Sequence, residues 1–198
     1  MTRIKLCGIT SVEDAILAVE AGADFIGLVL SKSPRQVKNT MVAKITEEVA
    51  DRVPIVGVFA KFDDMSRFLT SDGTELDYYQ VYFKVPQAIM RPPKIGWIRS
   101  FLIKNSTEEM PFVHQDHILL DFKNVDSRKM RELLKQDMEF VREKIFVAGG
   151  LDPRNVGRLV KKYQPYAVDV ARGTESEPGH KDPSLVRKFV ERVKNASA

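Results

Sequence analysis

The sequence predicts a (β/α)8 barrel, and three observations carry that expectation. Short β-rich runs recur at 3–7, 25–30, 54–59, 78–83, 94–99, 117–121, 145–148 and 166–170. Eight runs about 24 residues apart, with helical stretches between most of them, match the rhythm of a repeated βα unit. The runs at 25–30, 54–59 and 145–148 are apolar on successive residues, as strands covered on both faces are. An open doubly wound sheet is the alternative, but no G-x-G-x-x-G supports a dinucleotide site. At 198 residues the chain is at the short end for a barrel, which typically needs roughly 200 to 400. The barrel must therefore be compact, with a stunted fourth or fifth crossover. Pro86, Pro92 and Pro93 mark the segment 84–115 as the place for it. Residues 1–198 read as a single domain, without linker, repeat or low-complexity tract.

The connecting helices show in spacing and caps. Val12, Ala15, Ile16 and Val19 fall on one helical face, with Thr10 or Ser11 available as N-cap. Val156, Leu159 and Val160 repeat the spacing after Asp152-Pro153, which reads as a cap and a first-turn proline. Asp182-Pro183 precedes Leu185, Val186, Phe189, Val190 and Val193 in the same way. Met130, Leu133, Leu134 and Met138 predict a further helix.

Composition narrows the function. Hydrophobic content of 43% and charged content of 29% are those of an ordinary soluble globule. No run reaches the ~18 apolar residues of a membrane span, and the N-terminus lacks a signal-peptide pattern. A net charge of +4 suits anionic small molecules and is too small and dispersed to argue for nucleic acid. The single cysteine cannot close an internal disulfide, and His114, His117 and His180 lack metal-ligand spacing. A reducing cytoplasm, no metal and no cofactor are expected.

The chemistry sits where strands end. The first run ends on Cys7, the sixth on Asp121, the seventh on Gly149-Gly150. In a barrel, active sites lie at the C-terminal ends of the strands. A thiol and a carboxyl group there can move protons. Paired glycines let the backbone approach a phosphate and direct N–H groups at it. The plainer readings are a small buried hydrophobe for Cys7, a helix cap for Asp121 and a simple tight turn for the glycines.

Along nearly its whole length the chain resembles the phosphoribosylanthranilate isomerases of tryptophan biosynthesis. Lys5-Leu6-Cys7-Gly8-Ile9-Thr10, Glu13-Asp14-Ala15 and Gly22-Ala23-Asp24-Phe25-Ile26-Gly27 carry the resemblance most strongly. Ser33-Pro34-Arg35-Gln36-Val37, Val56-Gly57-Val58-Phe59, Ala148 to Val156, Val168-Asp169-Val170 and Gly179-His180-Lys181-Asp182 follow in order. Three departures stand out. The family's Q-L-H-G is here Gln80-Val81-Tyr82-Phe83. Its glycine-rich loop after the sixth strand is Phe122 to Arg128, without glycine. Its V-S-S-G is Val170-Ala171-Arg172-Gly173. In its sixth loop the chain is similar to divergent, archaeal-looking members.

The resemblance implies an Amadori rearrangement of a phosphorylated small molecule, from aminoaldose to aminoketose, with Cys7 as base and Asp121 as acid. It implies that Arg35 clamps the anthranilate carboxylate; a guanidinium fork can hold a carboxylate by two bonds. Gly149 and Gly150, with Arg172 and Gly173, are expected to bind the phosphate, Arg172 replacing the missing glycine loop. Asp169 is expected to orient a loop or pair with a neighbouring base, and Tyr82 to stack on the substrate ring or fill space. Tyr78, Tyr79 and Trp97 read as core. The histidine-pathway isomerase is a related alternative, disfavoured because it places an aspartate where Cys7 stands. A barrel for a different phosphosugar, or a non-catalytic binding barrel, is the other reading. Either a monomer or a homodimer fits.

Overall fold

The computed structural model describes residues 1–71, 75–85, 95–103, 117–122 and 142–197. Eight parallel strands close into a barrel in sequence order, β1 through β8, with β8 returning to pair with β1. They are β1 Arg3–Cys7, β2 Phe25–Val29, β3 Ile55–Phe59, β4 Tyr78–Val81, β5 Gly96–Ile103, β6 His117–Phe122, β7 Ile145–Ala148 and β8 Ala167–Val170. All eight expected runs are strands. The fifth starts two residues later than expected and extends to Ile103. The stunted crossover, the helix expected over 130–138, the loop 123–128 and His114 lie outside the described residues.

Alternation along each strand sorts side chains into two cores. Residues such as Ile4, Leu6, Ile26, Leu28, Leu120 and Val147 face outward and pack beneath the helices. Cys7, Phe25, Val56, Val58, Ile98, Leu119, Phe146, Ala148 and Ala167 face the barrel axis. Each fully buried Val, Leu, Ile or Phe contributes about 1.5–3 kcal/mol relative to exposure. The floor is aromatic: Phe25 meets Tyr78 and Phe146 edge-on, and His117 stacks on Tyr166 with centroids 4.5 Å apart. Trp97 and Tyr79 lie in the outer core, as expected.

Among the described residues the α-helices are α1 Val12–Ala21, α2 Asn39–Val49, α3 Phe62–Thr70, α4 Val156–Tyr163 and α5 Pro183–Ser197. Ser11, not Thr10, caps α1 by accepting from the Asp14 N–H. Thr10 instead donates to the Gly179 carbonyl. Asp182 caps α5 by accepting from Ser184 and Leu185. Asp152 does not cap α4 directly: it accepts from the N–H groups of Arg154 and Asn155, closing a turn that delays the helix to Val156. A short antiparallel hairpin, β9 Glu175–Glu177 and β10 His180–Lys181, follows β8 at the barrel mouth. No described helix is long and apolar enough to cross a membrane.

Candidate active site

A cavity of about 920 Å³ opens over the strand ends, and it gathers every site residue expected from the sequence: Cys7, Arg35, Asp121, Gly149, Gly150, Arg172 and Gly173. The gathering follows from the pleat. Cys7 on β1, Gln80 on β4, Asp121 on β6 and Asp169 on β8 all stand at inward positions near the C-terminal rim.

Cys7 is buried, at 8% exposure. Burial pushes its thiol above the ordinary value; the Lys5 and Lys181 ammonium groups oppose that rise and the Asp169 charge adds to it. Asp121 is half-buried, and burial together with the nearby Asp169 charge raises its carboxyl to about 6. The Tyr82 hydroxyl donates to Asp121 Oδ2 at 3.4 Å, and Gln80 Nε2 donates to Tyr82 Oη at 3.2 Å. Tyr82 packs against the axial core and also lines the cavity. It braces the carboxyl group, and burial keeps its phenol protonated.

Arg35 reaches the mouth from the loop after β2. Its Nε and Nη2 donate to Glu175 Oε1 and Oε2 at 2.8 Å and 2.6 Å. That uses one edge of the guanidinium and leaves the Nη1–Nη2 edge for a second carboxylate, since the group carries five donors in a fixed fork. Gly8 makes room for it: at φ +77 a Cβ there would lie 2.7 Å from Arg35 Cδ. Glu175 is almost fully buried, which alone would raise its carboxyl; the bonds from Arg35 and the Lys181 charge hold it below its usual value. Lys181 donates to the carbonyls of Cys7 and Ala171 at 2.7 Å and 3.1 Å, and lies 3.4 Å from Glu175. It thus ties the ends of β1 and β8 to the hairpin.

The opposite end of the cavity is backbone. Gly149 has φ +104, and a Cβ there would overlap the Phe122 carbonyl oxygen. Gly150 has φ +67 with open space beside it. Gly173 sits in a 3-10 turn over Arg172–Thr174, where a Cβ would overlap the Leu151 carbonyl oxygen. Arg172 and Lys188 are exposed and line this end with Arg154. Backbone N–H groups in glycine turns of this kind can hold an anion.

Three residues carry roles that the sequence reading did not give them. Glu175 and Lys181 are the buried supports just described. Lys5, fully buried, forms a 2.9 Å ion pair with Asp169 inside the barrel. A signal for this pair was present: β1 carries Arg3 and Lys5 at alternate positions on its axial face and β8 carries Asp169 on its own, and the charge in mid-strand, once buried, needs a partner.

A parallel barrel whose mouth joins a thiol, a carboxyl group raised to about 6, a forked arginine and a glycine-lined turn beside cations fits an acid–base isomerase acting on a small anion. Comparison with known proteins makes this particular. The chain belongs to the N-(5'-phosphoribosyl)anthranilate isomerase family, whose model matches residues 4–192. An N-(5'-phosphoribosyl)anthranilate isomerase from Geobacter sp. (strain M21) is 36% identical, with all of both chains covered. One from Streptococcus pneumoniae (strain R6) is 32% identical over 98% of this chain and 97% of its own. The crystal structure of phosphoribosyl anthranilate isomerase from Thermotoga maritima superimposes with a TM-score of 0.79 at 30% identity, over 98% of this chain and 100% of that one. A structure of such an isomerase with reduced 1-(o-carboxyphenylamino)-1-deoxyribulose 5-phosphate has a TM-score of 0.81 at 29% identity, with the same coverage.

Proposed function

We propose that the chain converts N-(5'-phosphoribosyl)anthranilate to 1-(2-carboxyphenylamino)-1-deoxyribulose 5-phosphate in tryptophan biosynthesis, with Cys7 as base and Asp121 as acid. The observation that supports these roles best is the pairing of Cys7 with an Asp121 raised to about 6 across one cavity. A carboxyl group at that value is a competent proton donor near neutral pH.

Asp121 protonates the ribose ring oxygen as the nitrogen lone pair breaks the C1–O bond, giving an open-chain protonated imine (iminium) conjugated to the anthranilate ring. The Cys7 thiolate takes the proton from C2, and the electron pair moves to form the enolamine. Tautomerisation of the enolamine gives the aminoketose. No net proton is gained or lost, so the thiol and the carboxylate exchange one proton with water to reset. Arg35 takes the anthranilate carboxylate on the edge that Glu175 leaves open. Gly149, Gly150, Gly173 and Arg172 take the phosphate. Gln80 Oε1 is buried without a partner among the described residues and offers an acceptor for a sugar hydroxyl. A base that must remain a free thiol fits a reducing compartment such as the cytoplasm.

The test is turnover of phosphoribosylanthranilate generated in situ, followed as loss of anthranilate fluorescence, with the product identified by mass and retention. Formation of the aminoketose supports the assignment. A folded protein without turnover redirects it to another phosphosugar or to a binding role.

A further inference from the structure

Lys5 is buried at 0% exposure, and the scheme above gives it no task. Its position is set by β1: Lys5 and Cys7 are two residues apart and share the axial face. The register places Lys5 beside Asp169 of β8 and Cys7 beside Gly27 of β2. A Cβ at Gly27 would lie 2.7 Å from Cys7 Sγ and 2.9 Å from Lys5 Nζ. The two atoms therefore border one small gap that glycine leaves open, within about 5.6 Å of each other. On its other side Lys5 Nζ donates to Asp169 Oδ1 at 2.9 Å.

We propose that Lys5 is a positioning residue whose buried ammonium group makes the Cys7 thiolate available, and that Asp169 competes with the thiolate for it. This rests on Cys7 being the base. Ionisation breaks the S–H bond, leaves the electron pair on sulfur and passes the proton to water at the open mouth. A cation within about 4–6 Å favours the ionised form of an acid, and a site that excludes water strengthens the effect. Asp169 keeps Lys5 charged despite burial and fixes its direction; Asp169 and Cys7 together hold the ammonium above its ordinary value. The other charged and titratable groups around the thiol are Lys181 behind the Cys7 carbonyl, Arg35 on the β2 loop, and Tyr82 with Asp121 across the cavity. Lys181 is directed at the Cys7 and Ala171 carbonyls and Arg35 at Glu175, whereas Lys5 Nζ borders the same gap as Cys7 Sγ, so Lys5 is the cation placed to answer the thiolate.

Cys7 is the chain's single cysteine, so alkylation by iodoacetamide reports its thiolate fraction directly. The experiment measures alkylation rate against pH for the wild type, Lys5→Met, Lys5→Arg and Asp169→Asn, with circular dichroism as a folding check. Lys5→Met is expected to move the midpoint up by at least one pH unit, a tenfold loss of thiolate at pH 7.5. Lys5→Arg should restore most of the shift. Asp169→Asn should move the midpoint down, because the ammonium then serves the thiolate alone. In Lys5→Met, kcat/KM should fall by the same factor as the thiolate fraction, with KM little changed. A purely structural role predicts no opposed shifts. An unchanged midpoint in folded Lys5→Met overturns the proposal. Should Lys5→Met not fold, Asp169→Asn decides: a fall supports the proposal, and no change or a rise overturns it. Turnover retained by Cys7→Ala would remove the base assignment, while the alkylation midpoints would still judge the coupling of Lys5 to Cys7.

Discussion

At the scale of single residues, the proposed reaction sets opposite needs for its two proton carriers. Cys7 must be ionised and Asp121 protonated, yet burial pushes both values upward. Between about 6 and the raised thiol value, each pH unit multiplies the thiolate fraction tenfold and divides the protonated Asp121 fraction tenfold. Their product is constant. The kcat/KM profile is therefore expected to rise below about pH 6, run flat, and fall only above the thiol value. A narrow peak at pH 6 would contradict the raised thiol. The same carboxyl group strains the fold. Its folded value exceeds the unfolded one, so the folded state binds the proton more tightly and stability falls as pH rises from about 4 to about 6. The lost stability above that window is on the order of 2–3 kcal/mol. Asp121→Asn should raise Tm at pH 7 by about 4–10 °C while abolishing most turnover, and the gain should shrink toward pH 4. No stabilisation at pH 7 would mean that Asp121 ionises without strain.

At the scale of elements, the strand ends and the turns divide the labour. The strands aim Cys7, Asp121 and Asp169 inward, and that much was legible from alternation and from where each apolar run stops. What fills the gaps between strands was less legible. Gly27 looks like one more apolar strand position, yet its missing side chain is the space shared by Lys5 and Cys7. Glu175 and Lys181 lie in a hairpin too short to carry a periodicity signal, so their grip on Arg35 and Cys7 emerged only from the closed fold. The paired glycines were read as a phosphate turn, but the two are not equivalent. Gly149→Ala should cost about 3 kcal/mol or more, from a left-handed backbone and a collision with the Phe122 carbonyl. Gly150→Ala, with open space around it, should cost only about 1 kcal/mol. Denaturant midpoints check this, and equal losses would show that Gly149 can move.

At the scale of the whole molecule, the barrel brings Arg35 and the glycine turns to opposite ends of one cavity with Cys7 and Asp121 between them, and the proposed reaction uses the ends for anion recognition and the middle for proton transfer. The eightfold βα rhythm made the closed barrel legible: runs such as 54–59 indicate parallel strands covered on both faces, which an open doubly wound sheet shares, and the count of eight pointed to closure. Its phosphate end departs from the family pattern. Arg172 stands where the family has serine, and it lines the cavity beside Gly173. Recognition through an exposed guanidinium is screened by salt. Arg172→Ser is expected to raise KM roughly tenfold with kcat little changed, the size of one charge-assisted bond. The variant should also show a weaker rise of KM between 0.05 and 0.5 M salt, conditions spanning roughly the change in Debye length that matters at contact range. Steady-state kinetics at two ionic strengths measure both, and an unchanged KM would leave phosphate binding to the backbone turns.

In the proposed reaction Cys7 and Asp121 perform the two proton transfers. Its most direct test is turnover of phosphoribosylanthranilate by the wild type, Cys7→Ala and Asp121→Asn at one pH, with folding of each verified by circular dichroism. A loss of about 10²–10⁴-fold in each variant, as expected for removal of a general acid or base, is the predicted result. A folded variant that keeps within tenfold of wild-type turnover would contradict the role given to that residue.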